Sequence, residues 1–147
     1  MSRVSRVVVL AALMVMPACG GGVDGPQVTE ARVGQPSGPN AALYFTASGN
    51  GVADRLLGAT TDVAPAVELH NTKTNDDGTM GMASVGAIDL PPDGQLVFEP
   101  GGLHLMLIDV DRLDVGETIE ITLTWETAGE KVIEAEVLDP AGTLHDH

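Results

Sequence analysis

The sequence predicts an all-β domain over residues 41–138, folded as a two-sheet Greek-key sandwich. Short runs of aliphatic and β-branched residues alternate there with clusters of Gly, Pro, Asp and Asn, as expected for strands joined by turns. No apolar stripe of helical period and useful length occurs beyond the first eighteen residues. The clearest strand alternates between polar residues and four apolar ones, Ile119, Ile121, Leu123 and Trp125.

Eight strands are expected from this pattern, and turn-forming sequences separate them at 76–78, 91–94, 100–102 and 128–129. The alternation turns Trp125 toward the interior, so it is expected to be a core residue. Because aromatic residues are few, Val, Leu and Ile should form most of the core. The predicted strands cover residues 41–47, 55–61, 66–72, 79–85, 95–99, 103–109, 118–126 and 131–138.

Residues 1–18 have the layout of a secretory signal peptide. Arg3 and Arg6 precede ten apolar residues, 7–16, and small residues follow, a layout too short for a membrane span. Cys19, the only cysteine, stands where a lipoprotein signal places its lipidated residue. We therefore expect an exported protein, in the periplasm or on the cell surface, held at the membrane by a lipid anchor at Cys19. The alternative is an ordinary cleaved signal in which Cys19 has no role.

Two segments are expected to be flexible. Residues 19–40 are rich in Gly, Pro, Gln and Ser, which is typical of a linker, although residues 28–33 could add a short edge strand. Residues 139–147 are expected to form a flexible tail, because chain ends order only where packing holds them.

The charge of the chain excludes several partners. Seven basic residues face 21 acidic ones, for a net charge of −14. Removal of residues 1–18 takes away Arg3 and Arg6 and no acid, so that five basic residues remain. Nucleic-acid binding needs a basic surface, and anionic lipid repels an acidic one. The sequence therefore argues against both partners and leaves the anchor as the only expected attachment to a membrane.

Four residues in the middle of the chain form a possible metal-binding set: His70, Met82, His104 and Met106. Imidazole and thioether are soft, uncharged ligands that suit Cu(I), whereas zinc favours Cys, His and carboxylate, and Cu(II) favours nitrogen and oxygen. His104 and Met106 stand two residues apart and share one face of a strand, which turns the leucines 103, 105 and 107 toward the core. From the residues alone, plain packing of the methionines and ordinary surface histidines explain the pattern as well as a metal does.

The flanking sequences carry a resemblance to a known family. VELHNT (67–72), MGMASV (80–85) and EPGGLHLML (99–107) resemble the periplasmic Cu(I) chaperones called PCu(A)C. The signature of that family is a His, a Met twelve positions later and His-x-Met twenty-two positions after that Met, and the four residues above match it without a gap. The similarity runs from about residue 41 to residue 137. Many members carry a second Met after the first His, where this chain has Asn71.

The resemblance implies a cupredoxin-like fold and the function of an exported Cu(I) metallochaperone without catalysis of its own. The implied client is the CuA centre of cytochrome c oxidase subunit II or an assembly factor such as a Sco-type protein, and a monomer is expected. A copper-sequestering surface lipoprotein is the alternative. Family tails sometimes bind further copper, but here only His145 and His147 are present, so a disordered end with at most a weak Cu(II) contact is expected.

Two other classes of function are disfavoured by residue content. Blue-copper electron-transfer proteins need a Cys thiolate ligand, and the expected mature domain has none beyond Cys19. A thiol–disulfide oxidoreductase would need a pair of cysteines. No Ser-His-Asp order, phosphate loop or paired-carboxylate signature suggests an enzyme, and the aspartates stand mostly in turns.

Overall fold

The structure, a computed structural model, describes residues 25–36 and 38–139. This part of the chain is all β, as predicted, and contains no helix and hence no helix that could cross a membrane. The predicted signal peptide, Cys19 and the His145 and His147 tail lie outside the described residues. The strands are β1 (Gln27–Gly34), β2 (Ala41–Ser48), β3 (Asp54–Thr60), β4 (Ala66–Thr74), β5 (Met80–Ser84), β6 (Ile88–Leu90), β7 (Gln95–Phe98), β8 (Leu103–Ile108), β9 (Thr118–Trp125) and β10 (Gly129–Leu138).

The ten strands form one continuous hydrogen-bonded sheet rather than two separate sheets. Their order is β5-β4-β8-β7-β2-β1-β10-β9-β3-β6, and β2 also pairs with β8. The link between the two halves is the parallel pairing of β1 with β10. β3 contacts β4 although the two lie near opposite ends of this order, so the sheet curls and its halves enclose the core. The predicted sandwich is therefore present, with its two layers joined through β1.

The core is built from the apolar face of each strand. Along β2, Leu43 and Phe45 are fully buried, and the Phe45 ring stacks on Phe98 with centroids 4.2 Å apart. Ile121 and Leu123 of β9 are likewise fully buried. Trp125 is 2% exposed, which confirms that it is a core residue. Burial of this aliphatic and aromatic surface is the main source of folding free energy.

The strand β1 departs most from the sequence-based prediction. It was expected to be part of a flexible linker over residues 19–40, with at most an edge strand, but Gln27–Gly34 pairs with β2 on one side and β10 on the other. The ladder with β2 shifts register between Thr29 and Arg32, where Glu30 adopts a φ of 57°. This bulge interrupts the alternation that would have revealed the strand. The three-residue strand β6 was also not predicted, because so short a segment shows no recognisable alternation of apolar and polar residues.

A buried carboxylate, Asp54, fastens the start of β3 to the turn between β9 and β10. Its Oδ1 accepts the backbone N–H groups of Arg55 (2.7 Å) and Thr127 (2.9 Å), and its Oδ2 accepts that of Ala128 (2.9 Å). Burial is the largest single influence and by itself would raise the pKa of Asp54. The three hydrogen bonds together outweigh it and hold the pKa of this carboxyl below its ordinary value of 3.8.

Candidate metal centre

Two neighbouring antiparallel strands, β4 and β8, carry three of the four predicted ligands. His70 and His104 are paired across the ladder, and their ring centroids are 5.6 Å apart in an edge-to-face arrangement. Met106 lies opposite Glu68, which makes it a diagonal neighbour of His70. Side chains of directly paired residues begin about 5 Å apart, and diagonal neighbours are separated by about 7–8 Å, which long side chains can span. These three residues therefore share one face and one small area of the sheet.

The fourth predicted ligand lies on the next strand, β5. Met82 is paired with Thr72 of β4, so it too is a diagonal neighbour of His70 and lies on the same face. Met80 is paired with Thr74, one step farther along the strand from His70. The register therefore places Met82, not Met80, beside the histidine pair.

The opposite face of these strands belongs to the core. Leu105 and Leu107 are fully buried, and Leu103 packs against the core while remaining partly exposed, as the alternation predicted. The four candidate ligands consequently lie on the outer face of the sheet. Their depth is graded, because His104 is 4% exposed whereas Met82 is 62% exposed. The centre is closed on the side of β2 and open on the side of β5.

The hydrogen bonds of the two imidazoles determine which ring nitrogens carry protons. His104 Nδ1 lies 3.2 Å from the carbonyl oxygen of Gly102, which can only accept, so Nδ1 is the donor and Nε2 keeps its lone pair. His70 Nε2 lies 2.8 Å from a carboxylate oxygen of Glu68 and is the donor there. His70 Nδ1 is buried and has no hydrogen-bond partner. In its neutral form, each ring therefore keeps one nitrogen lone pair free for another ligand.

Three residues around the centre were not identified from the sequence. Glu68 orients His70 in the way that a carboxylate commonly orients a metal-binding imidazole. Its position two residues before His70 on the same strand was the available signal. Tyr44 of β2 lies beside His104, with ring centroids 6.4 Å apart, and the guanidinium of Arg32 lies 5.6 Å from the Tyr44 ring. No local sequence signal connects these two residues to the histidines, because they come from distant strands.

The Tyr44 side chain beside His104 is uncharged. Burial raises the pKa of Tyr44 above its ordinary value of 10.0, and the charge of Arg32 offsets only part of this effect. The phenol therefore stays protonated at neutral pH.

The donor set is soft and uncharged. Within residues 25–36 and 38–139, no group of three or more His, Cys, Asp or Glu side chains is arranged to hold a metal ion. Any ion at this centre would be held by two imidazoles supplemented by thioethers, a combination that favours a soft monovalent cation over zinc or magnesium.

Comparison with known proteins identifies relatives in sequence. A family model described as "Putative lipoprotein LpqE-like" matches residues 23–137, a range that includes β1. A protein of Leifsonia xyli subsp. xyli named "Putative lipoprotein Lxx21020" is 29% identical over 129 residues, which cover 84% of this chain and 76% of that protein.

Solved structures of copper proteins share the fold. The copper-bound PCuAC domain from PmoF2 superposes with a TM-score of 0.67 at 29% identity, covering 78% of this chain and 93% of that domain. Apo-DR1885 from Deinococcus radiodurans gives a TM-score of 0.62 at 27% identity, covering 98% of this chain and all of that one. The Cu(I) form of DR1885 gives 0.56 at 30% identity, covering 80% of this chain and 78% of that one. The predicted resemblance to PCu(A)C proteins is thus confirmed, and the chain belongs to the LpqE-like family, with the cupredoxin-like β fold of PCuAC domains.

Proposed function

We propose that this chain is an exported Cu(I) metallochaperone that holds one copper ion through His70, Met82, His104 and Met106. The observation that carries the proposal is the pairing of His70 with His104, each with a free nitrogen lone pair, at the point where both methionines are diagonal neighbours. The similarity to a copper-bound PCuAC domain supports the same assignment. In this arrangement His70 would bind through Nδ1 and His104 through Nε2.

The ligand set suits the compartment to which the chain would be exported. Thiolates tend to form disulfides in an oxidising compartment, whereas thioethers do not. Thioethers also need no deprotonation before they bind a metal. The two thioethers favour Cu(I) over Cu(II), so the ion would be carried in one oxidation state.

Delivery is favoured by the graded depth of the centre. Met82 is exposed at the open side, whereas His104 is buried at the closed side. Ligands of an acceptor would therefore reach the ion from the exposed side, beside Met82, and not from the buried side, beside His104. By family likeness the acceptor would be the CuA centre of cytochrome c oxidase subunit II or a Sco-type assembly factor. A lipid anchor at Cys19, in the periplasm or on the cell surface, would keep the carrier near that acceptor.

Copper binding is tested by an anaerobic titration of Cu(I) against the competing chelator bathocuproine disulfonate. One Cu(I) ion is expected to remain with each protein molecule, and X-ray absorption should show both nitrogen and sulfur around the copper. Failure to retain the metal against the chelator, or a spectrum without sulfur, would falsify the assignment.

Delivery is tested separately from binding. The Cu(I)-loaded protein is mixed with a metal-free soluble CuA domain, the two are separated, and copper is measured in each. Movement of copper to the acceptor is the expected result. Retention of copper by this chain would instead indicate a storage or sequestering role.

The Glu68→Ala variant is expected to bind Cu(I) about 10–100-fold more weakly than the wild type, because His70 loses the carboxylate that fixes its ring and its proton. The same chelator titration measures the change. Glu134→Ala on β10 is the matched control, since it removes an equal charge from an exposed strand position in the other half of the sheet. Equal affinities for both variants would show that Glu68 acts through its charge alone or not at all.

A further inference from the structure

The edge strand β5 exposes two methionines, of which the proposed function uses only one. Met80 is 65% exposed and Met82 is 62% exposed, which places them with Val132 as the most exposed of the large hydrophobic residues in the described part of the chain. Packing does not explain Met80, because most of its side chain contacts solvent. An exposed thioether that fills no core is instead available to a ligand.

The geometry of β5 brings the two thioethers together. The strand is last in the sheet order, so within residues 25–36 and 38–139 no strand pairs with its outer side. Met80 and Met82 stand two residues apart, about 7 Å along the strand, on the same face. Gly81 between them has no side chain, and their partners Thr72 and Thr74 on β4 are short. Because methionine has three rotatable bonds, both sulfur atoms can reach one ion held between them.

The turn that leads into β5 fixes the position of Met80. The backbone N–H of Asn75 donates to the carbonyl of Thr79 at 2.7 Å, and the amide of its side chain donates to the Thr79 hydroxyl at 3.0 Å. The Asp77 carboxylate accepts from both the backbone N–H and the hydroxyl of Thr79. Met80 therefore follows an ordered turn, which holds its backbone at a defined place on the edge.

We propose that Met80 and Met82 form a transfer site through which Cu(I) enters and leaves the four-ligand centre. This inference rests on the proposed function. Met82 belongs to both sites, so the ion moves by ligand exchange: the bonds to His70, His104 and Met106 break as a bond to Met80 forms. Copper remains Cu(I) throughout. The thioethers are neutral in both arrangements, so they take up and release no proton.

The test compares the equilibrium affinity with the rate of transfer. In the full chain, Met80→Leu is expected to leave the Cu(I) dissociation constant within about twofold of the wild type, while loading and removal both slow by about fivefold or more, because a lost transfer step affects both directions equally. Removal is followed by stopped-flow absorbance after mixing Cu(I)-loaded protein with bathocuproine disulfonate under anaerobic conditions. Loading is followed in the reverse experiment.

Two further variants test whether the transfer rate depends on the sulfur atom of Met80 or on any change to an exposed apolar side chain. Val132→Leu alters an equally exposed residue on β10, in the other half of the sheet, and should change neither affinity nor rate. The double variant Met80→Leu with Thr74→Met returns a thioether to the residue directly opposite on β4 and should restore most of the wild-type rate.

The outcomes distinguish this inference from the proposed function. If the wild type binds no Cu(I), the proposed function fails and the transfer site fails with it. If the wild type binds Cu(I) but Met80→Leu transfers at the wild-type rate, only the transfer site is wrong. If Met80→Leu weakens equilibrium binding as much as Met82→Leu does, Met80 is a ligand of the main centre and the transfer role is again overturned.

Discussion

The His104→Asn variant is expected to lose at least about 100-fold in Cu(I) affinity while remaining folded, because one of only two nitrogen ligands is removed. Asn is chosen because its side-chain amide reaches the position of Nδ1. It can therefore still donate to the Gly102 carbonyl that His104 contacts at 3.2 Å. What it lacks is an atom at the position of Nε2, the nitrogen that keeps a free lone pair.

The complementary variant at the other histidine is His70→Gln. The longer Gln side chain reaches the position of Nε2 and keeps the contact with Glu68, but it has no atom equivalent to the unpartnered Nδ1. The Cu(I) affinity of His70→Gln is expected to fall by about as much as that of His104→Asn. Both affinities are measured by anaerobic titration against bathocuproine disulfonate, and thermal unfolding followed by circular dichroism verifies the fold. Affinities within about threefold of the wild type in both variants would remove the imidazoles from the copper site.

Asp54→Ala is expected to destabilise the protein by about 2–4 kcal/mol, because three partly buried backbone N–H groups lose a charged acceptor. The free energy of unfolding is measured by urea denaturation at pH 7. Asp89→Ala is the control, since this exposed carboxylate forms only a 3.6 Å ion pair with Arg55 and should contribute about 0.5 kcal/mol or less. Equal stability of the two variants would show that the Asp54 contacts do not tie β3 to the β9–β10 turn.

The contribution of Asp54 should depend on pH in a defined direction. Its pKa in the folded state lies below the ordinary value of 3.8, so the folded protein binds this proton less readily than the unfolded chain does. The stability gained from the ionised carboxyl is therefore complete above that ordinary value and is lost as the pH falls through it toward the lower folded value. The free energies of unfolding of the wild type and of Asp54→Asn are measured by urea denaturation at pH 7, 5 and 3. The difference between them should become smaller only at pH 3. A difference in free energy of unfolding that stays the same at all three pH values would contradict a lowered pKa of Asp54 in the folded protein.

Strands with a regular alternation were predictable from the sequence, and those with an irregular ladder were not. In β9 each inward residue is apolar and each outward residue is polar, so the burial of Ile121 and Trp125 follows from the residue types. In β1 the bulge at Glu30 shifts the register, and the strand is similar in composition to the polar sequence that precedes it. Its place inside the sheet depends on β2 and β10, which are distant in sequence.

The candidate centre was predictable in its residues but not in its geometry. His104 and Met106 share a face because they stand two residues apart on one strand, and this spacing can be read from the sequence alone. The pairing of His70 with His104 depends on the register of β4 against β8, which no local pattern specifies. The free nitrogen on each ring depends in turn on Glu68 and on the carbonyl of Gly102, each two residues before its histidine, so these contacts were within reach of a local sequence argument.

The parallel ladder between β1 and β10 has a mechanical consequence. Because Arg32 pairs with Glu136 and Gly34 with Leu138, the chain enters β1 at one pole of the domain and leaves β10 at the other. Tension applied between the two chain ends would therefore drag these neighbouring strands in opposite directions along their common axis. Such a load acts in shear on all the hydrogen bonds of the ladder at once instead of unzipping them singly. A domain tethered at one end and pulled at the other would consequently resist the load better than one whose terminal strands are unzipped pair by pair.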